Sequence, residues 1–160
     1  MTLPYEEGHW FAVPLPTSGF AVGLVARASK RGQVLLGYFF GGRFHALPLV
    51  EDLESLTLDS ALLVARFGDL ALLNFEWPIL GKTQTWRRNQ WPMPPFVSRD
   101  PLTDKVWQIE YADDDPNRLI KRMDITDREY KDHPLDGVYG ARAITRLLDH
   151  VLSKLEKVAD

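Results

Sequence analysis

Four histidines, His9, His45, His133 and His150, are the side chains best suited to ligate a transition metal or carry a proton near neutral pH. No two of them stand three or four positions apart, so none forms a ligand pair by spacing. His150 falls inside a helical pattern, where a surface or cap position accounts for it. Asp113, Asp115 and Asn117 copy the opening of a calcium loop, but Arg118 replaces the required glycine and no glutamate closes the loop. A turn is the better account. Gly19 and Gly41-Gly42 are isolated rather than part of a phosphate-cradling run, and no serine sits in a Gly-x-Ser-x-Gly elbow. The chain has no cysteine, which excludes thiol chemistry, disulfides and sulfur-ligated metals. Glu110 and Asp124 fall on the two arms of a predicted hairpin, roughly opposite one another, and are the one candidate carboxylate pair for acid–base work. Separate solvent-facing positions explain them better. We therefore expect no catalytic residue, no metal and no cofactor.

Recognition chemistry is better represented. Trp86-Arg87-Arg88-Asn89-Gln90-Trp91 combines two aromatic faces with two guanidinium groups. Bases stack on tryptophan and phosphates pair with arginine, so the segment could grip single-stranded nucleic acid or a small ligand. The same residue types are enriched at protein–protein hot spots. A third account places Trp86 and Trp91 in the core and pairs the arginines with the acidic stretch over 100–136. Two Trp-Pro pairs, Trp77-Pro78 and Trp91-Pro92, bracket this region. Each proline fixes its own φ and pushes the tryptophan before it toward extended backbone, so both segments are stiff and aromatic.

The elements that must position these groups are mostly strands. Trp10 to Leu15 and Phe20 to Ala28 read as strands joined by Pro16-Thr17-Ser18-Gly19, and Val34 to Phe40 as a third after Ser29-Lys30-Arg31-Gly32. Gly41-Gly42 is expected to break that strand, with Arg43 to Leu47 as a short fourth. Tight connections of this kind indicate an antiparallel meander. Gly23 and Gly37, inside strand patterns, suggest sharp bends or bulges. Ala61 to Phe67 is a further strand, whereas Asp69 to Asn74 fits either a strand or a helical turn. Val106 to Ala112 and Arg118 to Ile125 form a hairpin around Asp113-Asp114-Asp115-Pro116-Asn117. Alternation along it predicts Trp107, Ile109 and Tyr111 on one face. From about Gly140 to Val158, Ile144, Leu147, Leu148, Val151, Leu152 and Leu155 recur at helical spacing and must pack on the sheet. The expected fold is α+β: a strongly bent, mostly antiparallel sheet or partial barrel over 9–125, with a C-terminal amphipathic helix packed on it, all in one domain spanning 1–160.

Charge adds direction. Residues 100–136 carry eleven acidic and six basic side chains, against a net charge of −3 for the whole chain. Such a stretch is either a solvated hairpin with its loops or a surface that attracts a basic partner. A nucleic-acid binder would show the opposite sign, so nucleic acid is not the expected partner. Met1 to Gly8 carries Glu6 and Glu7 in place of a basic leader, and no apolar run reaches the length of a bilayer span. A cytoplasmic protein without membrane contact is expected; its oligomeric state is left open.

The order of these features resembles a known family. Trp10-Phe11-Ala12-Val13-Pro14-Leu15 is followed by Phe20-Ala21-Val22-Gly23-Leu24-Val25 and Val34-Leu35-Leu36-Gly37-Tyr38-Phe39-Phe40. Then come Trp77-Pro78-Ile79-Leu80-Gly81, Pro94-Pro95-Phe96 and Asp136-Gly137-Val138-Tyr139-Gly140 before the leucine-rich helix. Taken from about His9 to Leu155, the series is similar to the immunity protein 26 family of bacterial polymorphic toxin systems. The resemblance implies a small cytoplasmic protein, not an enzyme, made alongside a toxin that it binds and neutralises. It also implies a helical turn at Asp69 to Leu73. If the toxin is a nuclease with a basic cleft, Glu110, Asp113, Asp114 and Asp115 would steer it, and Trp86 or Trp91 would anchor it. A scaffold protein pairing through an exposed edge strand is a further reading.

Overall fold

The turn-forming residues between the first apolar runs place β1 (His9–Pro14), β2 (Phe20–Ala28) and β3 (Val34–Phe44) side by side and antiparallel. This is seen in a computed structural model, which describes residues 2–159. β4 (Leu63–Gly68) pairs with β3, and β5 (Ile79–Lys82) pairs with the other side of β1. A two-residue strand, β9 (Val138–Tyr139), runs parallel to β4 and completes a six-stranded sheet in the order β5-β1-β2-β3-β4-β9. β6 (Phe96–Arg99), β7 (Val106–Ala112) and β8 (Asp115–Asp124) form a separate antiparallel sheet. The large sheet is not closed into a barrel, so the open of the two expected forms is the one adopted, and the late hairpin belongs to a second sheet.

Strands β1 to β3 are nearly continuous in apolar residues because both faces of the large sheet are covered. On one face Phe11, Phe39, Phe67 and Trp77 pack with Ile144, Leu148 and Leu152 of the helix α3 (Ala141–Ala159). Phe11 and Trp77 stack with ring centroids 5.5 Å apart and planes 3° from parallel. On the other face Trp10, Tyr38, Phe40, Trp91 and Phe96 form a second cluster. Of the predicted helical stripe, Ile144, Leu148 and Leu152 lie at its buried centre, while Leu147 and Leu155 lie toward solvent. Asp69 to Asn74 resolves as a short helix, α1 (Leu70–Leu73), the alternative that the resemblance implied, and another four-residue helix, α2 (Asp127–Tyr130), follows β8. Asp69 is held before α1, its carboxylate accepting from Tyr5 Oη at 2.6 Å and from the Gln33 amide at 2.9 Å.

Two expectations about glycine are corrected. Gly23 sits in regular register opposite Phe39, with no bulge at it; a Cβ there would lie 2.4 Å from the Phe11 ring. It is a seat for an aromatic side chain, as is Gly37 beneath Phe67 and Phe39; the bulge near Gly37 falls on the neighbouring strand, between Val25 and Arg27. Gly41-Gly42 does not end β3, which continues to Phe44 through a register irregularity, and no separate fourth strand forms over Arg43 to Leu47. The reason is the helix. A Cβ at Gly41 would meet Leu152 at 2.2 Å, and Gly42 at φ +116 turns the strand. That turn lets Arg43 donate to Asp149 Oδ1 at 2.7 Å, Glu156 Oε1 at 2.5 Å and Ser153 Oγ at 2.8 Å.

Candidate protein-binding surface

The polar connector after β5 crosses from one layer to the other and carries Trp86 and Trp91 at its two ends. Trp91 is buried, edge-on to Trp10 and Phe40 and 5.2 Å from the Tyr38 ring. Tyr38 donates its hydroxyl to the Pro92 carbonyl at 2.5 Å, and burial pushes that phenol up to about 12. Trp86 is only half-buried; its ring lies over Gly8, where a Cβ would be 3.0 Å away. Between them a 3-10 turn at Arg88–Gln90 aims Arg88 across the surface.

Arg88 joins the two regions singled out by the sequence. Its Nε donates to Glu7 Oε2 at 2.9 Å, Nη2 donates to the Asp113 carbonyl at 2.6 Å, and Nη1 bonds the Asp113 carboxylate. Asp113 Oδ1 also accepts from Arg27 Nε at 3.1 Å, and Arg27 itself is buried. The Arg88 hydrogen bond, with Arg27 behind it, holds the Asp113 carboxyl below the usual carboxylate range despite partial burial. Arg88 therefore ties the connector to the hairpin tip. Glu110 and Asp113 share a recess of about 180 Å³ with Met93, Pro94 and Pro95. Asp114 and Asp115 face a different recess, of about 400 Å³, beside Lys30, Arg31 and Arg118.

The three aspartates are thus not equivalent. Asp113 is committed to two arginines, Asp114 pairs with Arg118 at 3.0 Å, and Asp115 is the first residue of β8, accepting from the Asn117 amide. Glu110 lies opposite Lys121, not Asp124, whose partner is Trp107. The expected rough opposition of the two is corrected by the register of β7 and β8, and their separation is the reading favoured over a carboxylate pair. A nucleic-acid grip needs both ring faces and both arginines, yet Trp91 is buried and Arg88 is engaged. Among the described residues no group of three or more His, Asp or Glu side chains is placed to hold a metal ion. No helix among them is long and apolar enough to cross a membrane.

Arg27 and Arg66 escaped the sequence reading, although each is a lone arginine within an apolar strand. Arg66, on β4, clasps the two sheets. It donates to the Pro116 carbonyl at 3.1 Å and to Asp136 Oδ1 at 3.0 Å, and its guanidinium lies 3.7 Å from the Tyr111 ring centroid. Tyr111 donates to the same Asp136 oxygen at 2.7 Å; burial first, and then Asp136, raises its phenol.

Residues 6–108 match the family model described as immunity protein 26. The chain belongs to the immunity protein 26 family. The match takes in β1 to β6 and the start of β7, and with them Glu7, Arg27, Trp86, Arg88 and Trp91. Glu110, Asp113 to Asp115, the Asp136 to Gly140 motif and α3 lie beyond it. Among curated proteins and among solved structures, none matches the chain. An immunity protein has a toxin as its counterpart, so the partner of this immunity protein 26 member is, in general terms, a toxin.

Proposed function

We propose that this protein binds and neutralises a cognate toxin of a bacterial polymorphic toxin system, in the cytoplasm, by covering a surface of the toxin and without catalysis. Membership of the immunity protein 26 family carries this reading. The surface built from Trp86, Glu110 and Asp113 to Asp115 supports it. Asp113 is fixed in place by Arg27 and Arg88 before any partner arrives, which lowers the ordering cost of association. Trp86 supplies a half-exposed aromatic anchor packed against the core cluster that contains Trp91. Glu110, Asp114 and Asp115 supply charge that steers a basic partner, such as the cleft of a nuclease.

The test is binding to the polypeptide encoded immediately upstream, with purified proteins and calorimetry. A one-to-one complex with a Kd of about 1 nM or tighter, roughly −12 kcal/mol, supports the reading, and no complex with a folded partner overturns it. Charge reversal at Glu110, Asp114 and Asp115 leaves the Arg27–Asp113–Arg88 network in place. It should slow association by about tenfold or more at low salt and flatten the salt dependence. Unchanged association would remove the acidic residues from the mechanism while leaving the complex itself intact.

A further inference from the structure

Strand β8 has one strand neighbour only. It pairs with β7 along one side, and no backbone pairing occupies its other side among the described residues. The opposite edge of the same sheet is covered: the Val97 amide donates to the Pro134 carbonyl at 2.9 Å and the Asp136 amide to the Val97 carbonyl at 2.8 Å. From Asn117 to Asp124 every residue of β8 is exposed. Leu119, Ile120 and Met123 are 54%, 58% and 39% accessible, so large apolar side chains stand in water on a strand that buries none of them. Natural sheets shorten, cover or twist away such an edge because its free N–H and C=O groups template another strand.

The charges on this edge select what it can accept. Arg118, Lys121 and Arg122 are three of the six basic residues in the acidic stretch 100–136, gathered within five positions. The Arg122 guanidinium lies 3.8 Å from the Trp107 ring centroid, which fixes one of these charges beside the strand. A second copy of β8, paired symmetrically about Ile120, would set this basic run against itself. A strand carrying acidic and apolar residues meets both the charge and the exposed Leu, Ile and Met side chains.

We infer that the free edge of β8 receives an extended strand of the toxin, rich in acidic and apolar side chains, which becomes a fourth strand of the second sheet. This rests on the toxin-binding function proposed above. The hairpin then has two contact chemistries: an acidic tip at Asp113 to Asp115 and a basic, apolar edge from Arg118 to Met123.

Amide hydrogen exchange of the whole protein, alone and bound to the upstream-encoded toxin, tests the edge directly. Outward-facing amides between Asn117 and Asp124 should exchange about tenfold or more slowly in the complex. The double variant I120E/K121E should keep the native circular dichroism spectrum and raise the Kd by about tenfold or more. A complex of native affinity in which those amides exchange as in the free protein would overturn the edge and leave the immunity function standing. Protection that grows with the concentration of the free protein would overturn it in favour of self-pairing. Failure of the unaltered proteins to form any complex would overturn the immunity function, and the edge with it.

Discussion

The two sheets use the same ladder of backbone hydrogen bonds for opposite ends. In the six-stranded sheet, β1 to β3 are covered on both faces, and Phe11, Leu24 and Phe39 have no measurable exposure. In the three-stranded sheet, β8 leaves Leu119, Ile120 and Met123 in solvent and pairs by its backbone with β7 alone. Apolar content is therefore a poor guide to what a strand does; the number of its covered surfaces is a better one. The first sheet carries stability. The second carries the surface on which we place recognition.

Substitutions can break or sharpen this contrast. Phe11→Ala empties a site ringed by Phe39, Phe67 and Trp77 and should cost about 4 kcal/mol in chemical denaturation. A loss below about 1.5 kcal/mol would mean that the aromatic cluster is not where stability resides. Arg66→Met leaves Asp136 and the Pro116 carbonyl without a shared buried donor, removes the cation from the Tyr111 ring face and should cost about 3 kcal/mol. Because Arg66 joins the sheets, tryptophan fluorescence and far-UV dichroism should then report separate transitions; coincident ones would show that other contacts suffice.

Acid acts more weakly, and its sign follows from Asp113. Its carboxyl titrates below the ordinary value of about 3.9, so its contribution is complete above that pH and fades as pH falls through the lower folded value. The side chain is 63% exposed, so screening keeps the contribution below about 1 kcal/mol. Stability curves of the native protein and Asp113→Asn should converge as the pH drops below about 3.9. A gap that persists at low pH would assign the difference to packing. Smallest of all, Ile120→Ala should change stability by no more than about 0.5 kcal/mol in the same denaturation assay. A loss comparable to that of Phe11→Ala would erase the distinction between the sheets.

The local parts of this fold were legible. Phe20 to Ala28 is bounded by turn residues at both ends and forms the strand they delimit, and Ile144, Leu148 and Leu152 face the core at the spacing of a helix. What depends on distant partners was not. Gly41-Gly42 reads locally as a break, and only Leu152 and the acceptors of Arg43 on α3 make it a bend within a continuing strand. Register shifts beside Tyr111 add their extra residues on β8, opposite an uninterrupted β7, and nothing local in the hairpin marked them. At the surface, the suggestion that a connector arginine pairs with the acidic stretch describes Arg88, but nothing local pointed to Arg27 as the second partner of Asp113. Trp86 and Trp91 have similar composition around them; Trp91 enters the second aromatic cluster as a buried member, whereas Trp86 packs against it from outside.

The pairing of β9 with β4 also has a consequence in time. Arg66 lies opposite Val138, so the sequence of the whole second sheet lies between the two strands that this bond row must bring together. Neighbouring hairpins need only short loops to meet, whereas this closure waits on a long one. The helix, next in sequence after β9, is further delayed, and until it docks the Phe39 and Phe67 side of the meander lacks its cover. Pulse-labelled exchange during refolding should find β1 to β3 protected before Tyr139 and Ile144; simultaneous protection would mean that the closing strand forms together with the first hairpins. The nascent meander is thus a transient adhesive surface, and the interval before α3 arrives is when this protein is most exposed to aggregation.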